Sequence, residues 1–185
     1  ELLAARIPGV GSEWQRRIAQ LDRYGHWVAQ VRMQALGSIR AGWLGPRLTY
    51  EPTAADMMKV RNAIALLARM FFAAGAKEVS HGIVGLPPFF THPQQVTMID
   101  ALTLDTGRVH LLASHIFGTA CAGSDPSRSV VGPSLRTHAI EKLYVMDASV
   151  FPTNLGVNPQ HSIMAVVRRA AEWLANTEHR SRDAA

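Results

Sequence analysis

Apolar and polar positions recur along this chain with two different periods. Between residues 54 and 74, Met57, Val60, Ile64, Leu67, Ala68, Phe71 and Phe72 fall three or four apart, which gathers them on one face of an α-helix. Thr53 ahead of the stripe and Asp56 three residues later have the spacing of a capping box, and Gly75 supplies a stop. Ile163, Val166, Val167, Ala170 and Leu174 form a second stripe and predict a helix over 159–177. Pro159 suits its first turn, where an N–H would have no intrahelical partner. Shorter helices are expected at 12–21, with Ser12 as N-cap, and at 94–104 after His92-Pro93.

Elsewhere the period is two, or the apolar run is unbroken. Residues 27–39 predict strands joined by a turn at Gly37-Ser38, and Leu48 to Tyr50 a short strand. Residues 77–84 predict another strand, ended by Gly85-Leu86-Pro87-Pro88. Residues 108–115 alternate, with His110, Leu112 and Ser114 on one face and Leu111, Ala113 and His115 on the other. A loop rich in Gly, Ser and Pro follows over 121–138, with a brief strand at Val130-Val131. Leu143 to Met146 has the unbroken apolar pattern of a buried strand. The elements together predict a mixed α/β (α+β) fold, with a mostly antiparallel sheet covered on one side by helices.

Composition narrows the functional classes. At 185 residues, 48% hydrophobic and 18% charged, the chain can bury a sizeable core. Its +5 formal charge is modest, and several arginines gather near the end (Arg168, Arg169, Arg180, Arg182). No basic stripe is interleaved with aromatics, so nucleic acid is not an expected partner. A single cysteine, Cys121, excludes an internal disulfide and a cysteine-based zinc site; it suits a reducing compartment, and the cytoplasm is the expected location. The eight histidines are scattered and make no metal motif. The longest apolar run, 63–76, is interrupted by Arg69 and too short to span a bilayer. Glu1 opens no signal-peptide order, and the chain is expected to be a piece of a longer protein.

Three positions carry candidate chemistry. His115 sits beside Gly118-Thr119, either as a general base or as a packed His bonded to a carbonyl. Asp147 ends the run Leu143 to Met146, where ligands bind in open α/β sheets; it equally suits the cap of a turn through Ala148 and Ser149. Asn158-Pro159 opens the last helix, whose first N–H groups favour an electron-rich atom, although Asn158 also suits an N-cap. His161 reads more simply as packing or surface. Gly9-Val10-Gly11 lacks the third glycine and preceding strand of a dinucleotide fingerprint. Ser149 has no Gly-x-Ser-x-Gly elbow for a hydrolase.

Taken in order, His115-Ile116-Phe117-Gly118-Thr119, Asp125-Pro126, Ser129-Val130-Val131, Leu143 to Thr153 and Gly156 to Ile163 resemble the C-terminal part of the glucose–methanol–choline oxidoreductases. The cholesterol oxidase and fatty-alcohol oxidoreductase branches look nearest. The resemblance is strongest over 110–176 and extends loosely back to Leu48. It implies FAD-dependent oxidation of an alcohol, with His115 accepting the hydroxyl proton and Asn158 holding the substrate oxygen while hydride passes to the flavin. Asp147 and Ala148 would approach the FAD pyrophosphate and ribityl chain, and the backbone at Asn158 and Pro159 the isoalloxazine ring. Where the family usually has Cys-Arg-Met-Gly, this chain has Ala120-Cys121-Ala122-Gly123.

The resemblance also implies a division: residues 1–138 in a substrate-binding domain, 139–177 returning to an FAD-binding domain, and 178–185 a tail. The family's Gly-rich FAD segment is expected on an N-terminal portion outside this sequence. The apolar stretch Leu86 to Phe90 points to an apolar alcohol, and core packing accounts for it equally well. The competing expectation is a stand-alone binding or assembly module without redox activity. An upstream Gly-x-Gly-x-x-Gly segment would discriminate between them.

Overall fold

The computed structural model describes residues 6–183, and the side chains of residues 6–176. Chain contacts divide it into two compact units, residues 1–112 and 113–185.

The first unit is built on α2 (Ala54–Ala73), which follows α1 (Gly11–Ile18) and a hairpin of β1 (Ser38–Gly42) and β2 (Gly45–Thr49). The predicted stripe of α2 faces the core: Met57, Val60 and Ala68 are buried with Ala65, and Ile64, Phe71 and Phe72 pack at the margin. Val79, Ile83, Phe90, Val96, Ile99 and Leu104 complete that core. The capping box forms as predicted, with Thr53 Oγ1 accepting from Asp56 N–H at 3.1 Å and Asp56 Oδ2 from Thr53 N–H at 3.3 Å.

Asp56 does more than cap. Its fully buried carboxylate also accepts Gln34 N–H at 2.8 Å and Ala35 N–H at 3.0 Å, and pairs with Lys59 Nζ at 3.1 Å. Residues 24–37 make no strand and need such anchors. Stacking of Trp27 on Phe71, at 4.3 Å between centroids, supplies another.

Several predicted elements are shorter than their patterns. Ser12 lies inside α1, whose N-cap is Val10. The segment 94–104 gives a 3-10 turn, Pro93–Val96, and a short helix α3 (Thr97–Asp100). The hairpin turns at Trp43-Leu44, beyond Gly37-Ser38, with Gly42 opposite Gly45. A Cβ on Gly42 would lie 2.7 Å from the Gly45 carbonyl oxygen, so the tight closure requires glycine there. Among the described residues this is the one continuous ladder. The expected strands at 77–84 and 108–115 appear as isolated antiparallel bridges, Val79 to Phe90 and Ile83 to Val109. Apolar alternation gives a face to bury, but a ladder also requires a neighbouring backbone in register.

His81 is buried in a loop of this unit. Ile83 N–H donates to its Nδ1 at 3.1 Å, so Nε2 carries the proton and donates to the Pro87 carbonyl at 2.8 Å. The ring packs on Phe90 at 4.3 Å. Burial pushes the His81 pKa down, and the Pro87 carbonyl opposes this in part. A lowered folded-state pKa means that the unfolded chain binds the proton more readily. The loop's stability is therefore full above the ordinary histidine value of about 6.5 and falls as acid takes the pH toward the folded-state value. Thermal melts between pH 7 and 5 should show this loss in the wild type and a smaller one in His81→Gln. Equal slopes would rule out His81 as the source.

The second unit carries α4 (Gln160–Asp183). Ala170 is buried and Val166 partly so, against Val131, Leu135 and Val150, with Ala122, Val145, Met146 and Phe151 around them. The backbone of α4 runs beyond Thr177, into the expected tail; residues 184 and 185 lie outside the described residues. Leu143 to Met146 is not the buried strand its pattern predicts. It makes one antiparallel bridge, Tyr144 to Arg136, and Leu143 is 43% exposed. Buried Leu135 takes φ +62 and turns the chain so that its carbonyl accepts Val145 N–H at 3.0 Å. No described helix is long and apolar enough to cross a membrane.

Candidate functional site

The candidate residues belong to three segments of the second unit. His115 is half-buried in a stretch outside any helix or ladder. Two residues on, Phe117 meets Phe151 edge-to-face, with ring centroids 6.0 Å apart and planes at 84°. Gly118 then takes φ +86, and Cys121 donates its S–H to the Gly118 carbonyl at 3.0 Å. The turn carries the chain alongside residues 147–152, where Ala120 N–H donates to the Ser149 carbonyl at 3.1 Å and Ala122 N–H to Val150 at 2.8 Å. The His115 and Asp147 segments are thus held side by side by two backbone bonds and an aromatic contact.

Gly118 is the pivot of this arrangement. A Cβ there would meet nothing closer than 3.7 Å, so the constraint is backbone conformation and not space. The left-handed region costs an L-residue roughly 1–2 kcal/mol. Gly118→Ala should lower stability by about 1 kcal/mol, read as a drop in denaturation midpoint. An unchanged midpoint would mean that the turn is not under this constraint.

Asp147 caps the 3-10 turn Ala148–Val150: its Oδ1 accepts Ser149 N–H at 2.8 Å and the Ser149 hydroxyl at 2.5 Å. Those bonds, the hydroxyl first, hold its pKa below the ordinary carboxylate value, against a small opposing effect of burial. Of the two sequence readings of Asp147, the turn cap is the one its side chain makes; the buried strand that the other reading placed before it does not form.

Asn158 is exposed immediately ahead of α4, and Pro159 is buried. The Pro159 carbonyl accepts Ile163 N–H at 2.8 Å, so Pro159 stands at the helix boundary, one place earlier than its expected first-turn position. A tight turn prepares this entry, with Asn154 Oδ1 accepting Gly156 N–H at 2.7 Å and Gly156 at φ +72. The first N–H groups of the 24-residue helix α4 lie next to Asn158, a donor set suited to an electron-rich ring edge or oxygen. His161, on that first turn, is exposed.

Two contacts were not evident from sequence. The Phe117–Phe151 pair joins residues from two motif segments without any periodic signal. Ser129 and His138 also meet, at 2.9 Å, yet they do not form a nucleophile and base. Ser129 Oγ donates to the Asp125 carbonyl at 2.6 Å, and His138 Nε2 also reaches the Gly123 carbonyl at 3.2 Å. Nε2 therefore carries a proton and donates, and the pair fastens the 121–138 loop. Among the described residues no three His, Cys, Asp or Glu side chains converge as metal ligands.

Residues 29–166, about three quarters of the chain, match the family model described as GMC oxidoreductase. An uncharacterized GMC-type oxidoreductase of Mycobacterium tuberculosis (strain H37Rv) is 36% identical over 170 residues, which cover 90% of this chain and 26% of that protein. A long-chain-alcohol oxidase of Arabidopsis thaliana is 29% identical over 185 residues, covering 94% of this chain and 23% of the relative. A cholesterol oxidase of M. tuberculosis is 42% identical over 65 residues, covering 35% of this chain and 11% of the relative. The chain spans about a quarter of the length of the first two relatives.

Proposed function

The chain belongs to the GMC oxidoreductase family, and on that premise we propose that it supplies the proton-accepting and substrate-orienting side chains for FAD-dependent oxidation of an alcohol. His115 takes the proton of the substrate hydroxyl, which makes the carbinol carbon a better hydride donor. Asn158 hydrogen-bonds the same oxygen and holds it in line, so that base and orienter flank a single atom. Bound FAD supplies the two-electron acceptor for the hydride. Asp147 and Ala148 would hold its phosphate and ribityl portion, and the backbone at Asn158 and Pro159 its ring.

The observation that carries this reading is the fastening of the His115 segment to the Asp147 segment by the Ala120–Ser149 and Ala122–Val150 bonds, within the span that matches the family model. The N-terminal entry of α4 suits a flavin ring edge, because the N–H groups of a helix's first turn favour electron-rich atoms.

The activity is proposed for a protein in which the chain works with an FAD-binding portion, residues 1–138 serving the substrate side and 139–177 the return to the flavin side. The substrate class we favour is an apolar alcohol, since two relatives are named for a long-chain alcohol and for cholesterol. The same reading puts the protein in the cytoplasm, where a lone thiol such as Cys121 stays reduced. The test is the mass and visible spectrum of the protein from its natural source. Expected are a mass well above 20.2 kDa and a flavin spectrum that bleaches when an alcohol is added without oxygen. A mass equal to the chain's, with no flavin, would favour the non-catalytic module.

A further inference from the structure

The hairpin β1–β2 has a composition that the redox reading does not use. Cross-strand partners share a face, so Ile39, Ala41, Pro46 and Leu48 line one side and Ser38, Arg40, Arg47 and Thr49 the other. Both sides are exposed. At the tip, Trp43 is 98% and Leu44 94% exposed.

On the polar side Arg40 stands directly opposite Arg47. Like charges in that position repel, and among the described residues neither has a carboxylate partner. From Arg23 to Tyr50 the sequence contains four arginines and no Asp or Glu. A surface with apolar residues at its point and unneutralised arginines behind them calls for a partner that is anionic outside and apolar just beneath. Strand addition is less well served, because Pro46 leaves β2 one N–H donor short.

We propose that the hairpin docks on a membrane surface rich in anionic phospholipid, with Trp43 and Leu44 entering the headgroup boundary and Arg40 and Arg47 pairing with lipid phosphates. Tryptophan suits that boundary because its ring is apolar and its N–H polar. The inference does not rest on the oxidoreductase reading, and can fail or stand independently of it.

The test is cosedimentation of the purified protein with phosphatidylcholine vesicles, with and without phosphatidylglycerol. Binding is expected only with phosphatidylglycerol present, and should weaken in 1 M salt, where screening shortens to about 3 Å. Arg40→Ser with Arg47→Ser should weaken partitioning about thirtyfold, or fivefold for each arginine. Trp43→Ser with Leu44→Ser should abolish it while leaving the circular dichroism unchanged, since neither side chain touches a core. Absence of binding, equal binding to neutral vesicles, or variants that bind as wild type would overturn the proposal. So would Trp43 emission shielded from acrylamide in the lipid-free protein, because a protein surface would then already cover the tip.

Discussion

Replacing His115 with alanine is expected to slow alcohol oxidation by about 10²–10⁴-fold, the usual contribution of a positioned general base, while flavin binding and stability stay near wild type. The expectation follows from position. His115 is half-buried on a stretch that makes no ladder bonds of its own, so removing the ring opens no large cavity. The neighbouring contacts that organise the segment, Phe117 on Phe151 and the backbone bonds to Ser149 and Val150, remain. A matched pair of measurements separates chemistry from structure: turnover with an apolar primary alcohol, and the visible spectrum of the same preparation. Lost turnover with retained flavin supports the base. Wild-type turnover would remove His115 from the mechanism, and lost flavin would give it a structural role.

The largest stability effect is expected at Asp56. Burial alone would raise its pKa, but the N–H groups of Gln34 and Ala35, with Lys59 and Thr53, hold it well below the usual carboxylate range. Asp56→Ala removes all of these acceptor bonds at once and leaves three backbone donors, the N–H groups of Gln34, Ala35 and Thr53, without their partner. A cost of about 3 kcal/mol is expected, enough to free residues 30–37 from the start of α2.

The pH dependence has a definite sign. Asp56 has a lowered folded-state pKa, so it contributes its full stability above the unfolded value of about 3.9 and loses it as acid takes the pH toward the folded value. The slope for this one group is roughly 1.4 kcal/mol per pH unit. Chemical denaturation at pH 7 and pH 3 should therefore show a wide gap between wild type and Asp56→Ala at neutral pH, and a narrower one in acid. An equal gap at both values would mean that the carboxylate's charge is not what matters.

What could be read from sequence divides along physical lines. The stripe of α2 and its cap were evident because period, N-cap and stop all agreed, and the apolar face of α4 was evident for the same reason. The hairpin turn was not. Gly37-Ser38 has turn chemistry, whereas the turn itself falls on two apolar residues and is permitted by the glycines on either side. Leu143 to Met146 looked like a buried strand because hydrophobicity reports burial poorly when the backbone partner is missing. The single bridge it does make, Tyr144 to Arg136, lies beside Leu135, whose left-handed conformation a leucine does not advertise. At the candidate site the segments around His115, Asp147 and Asn158 could be ordered along the chain. Their fastening through Phe117, Gly118 and Phe151 could not, since single contacts between loops have no period.

Hydride transfer from an alcohol carbon to flavin, with His115 as the proposed base, is tested most directly by anaerobic flavin bleaching with an alcohol deuterated at the carbinol carbon, set against the protiated compound. Bleaching is expected in both cases, several-fold slower with deuterium because that C–H bond breaks in the step observed. No bleaching with any alcohol, in protein that carries flavin, would contradict it.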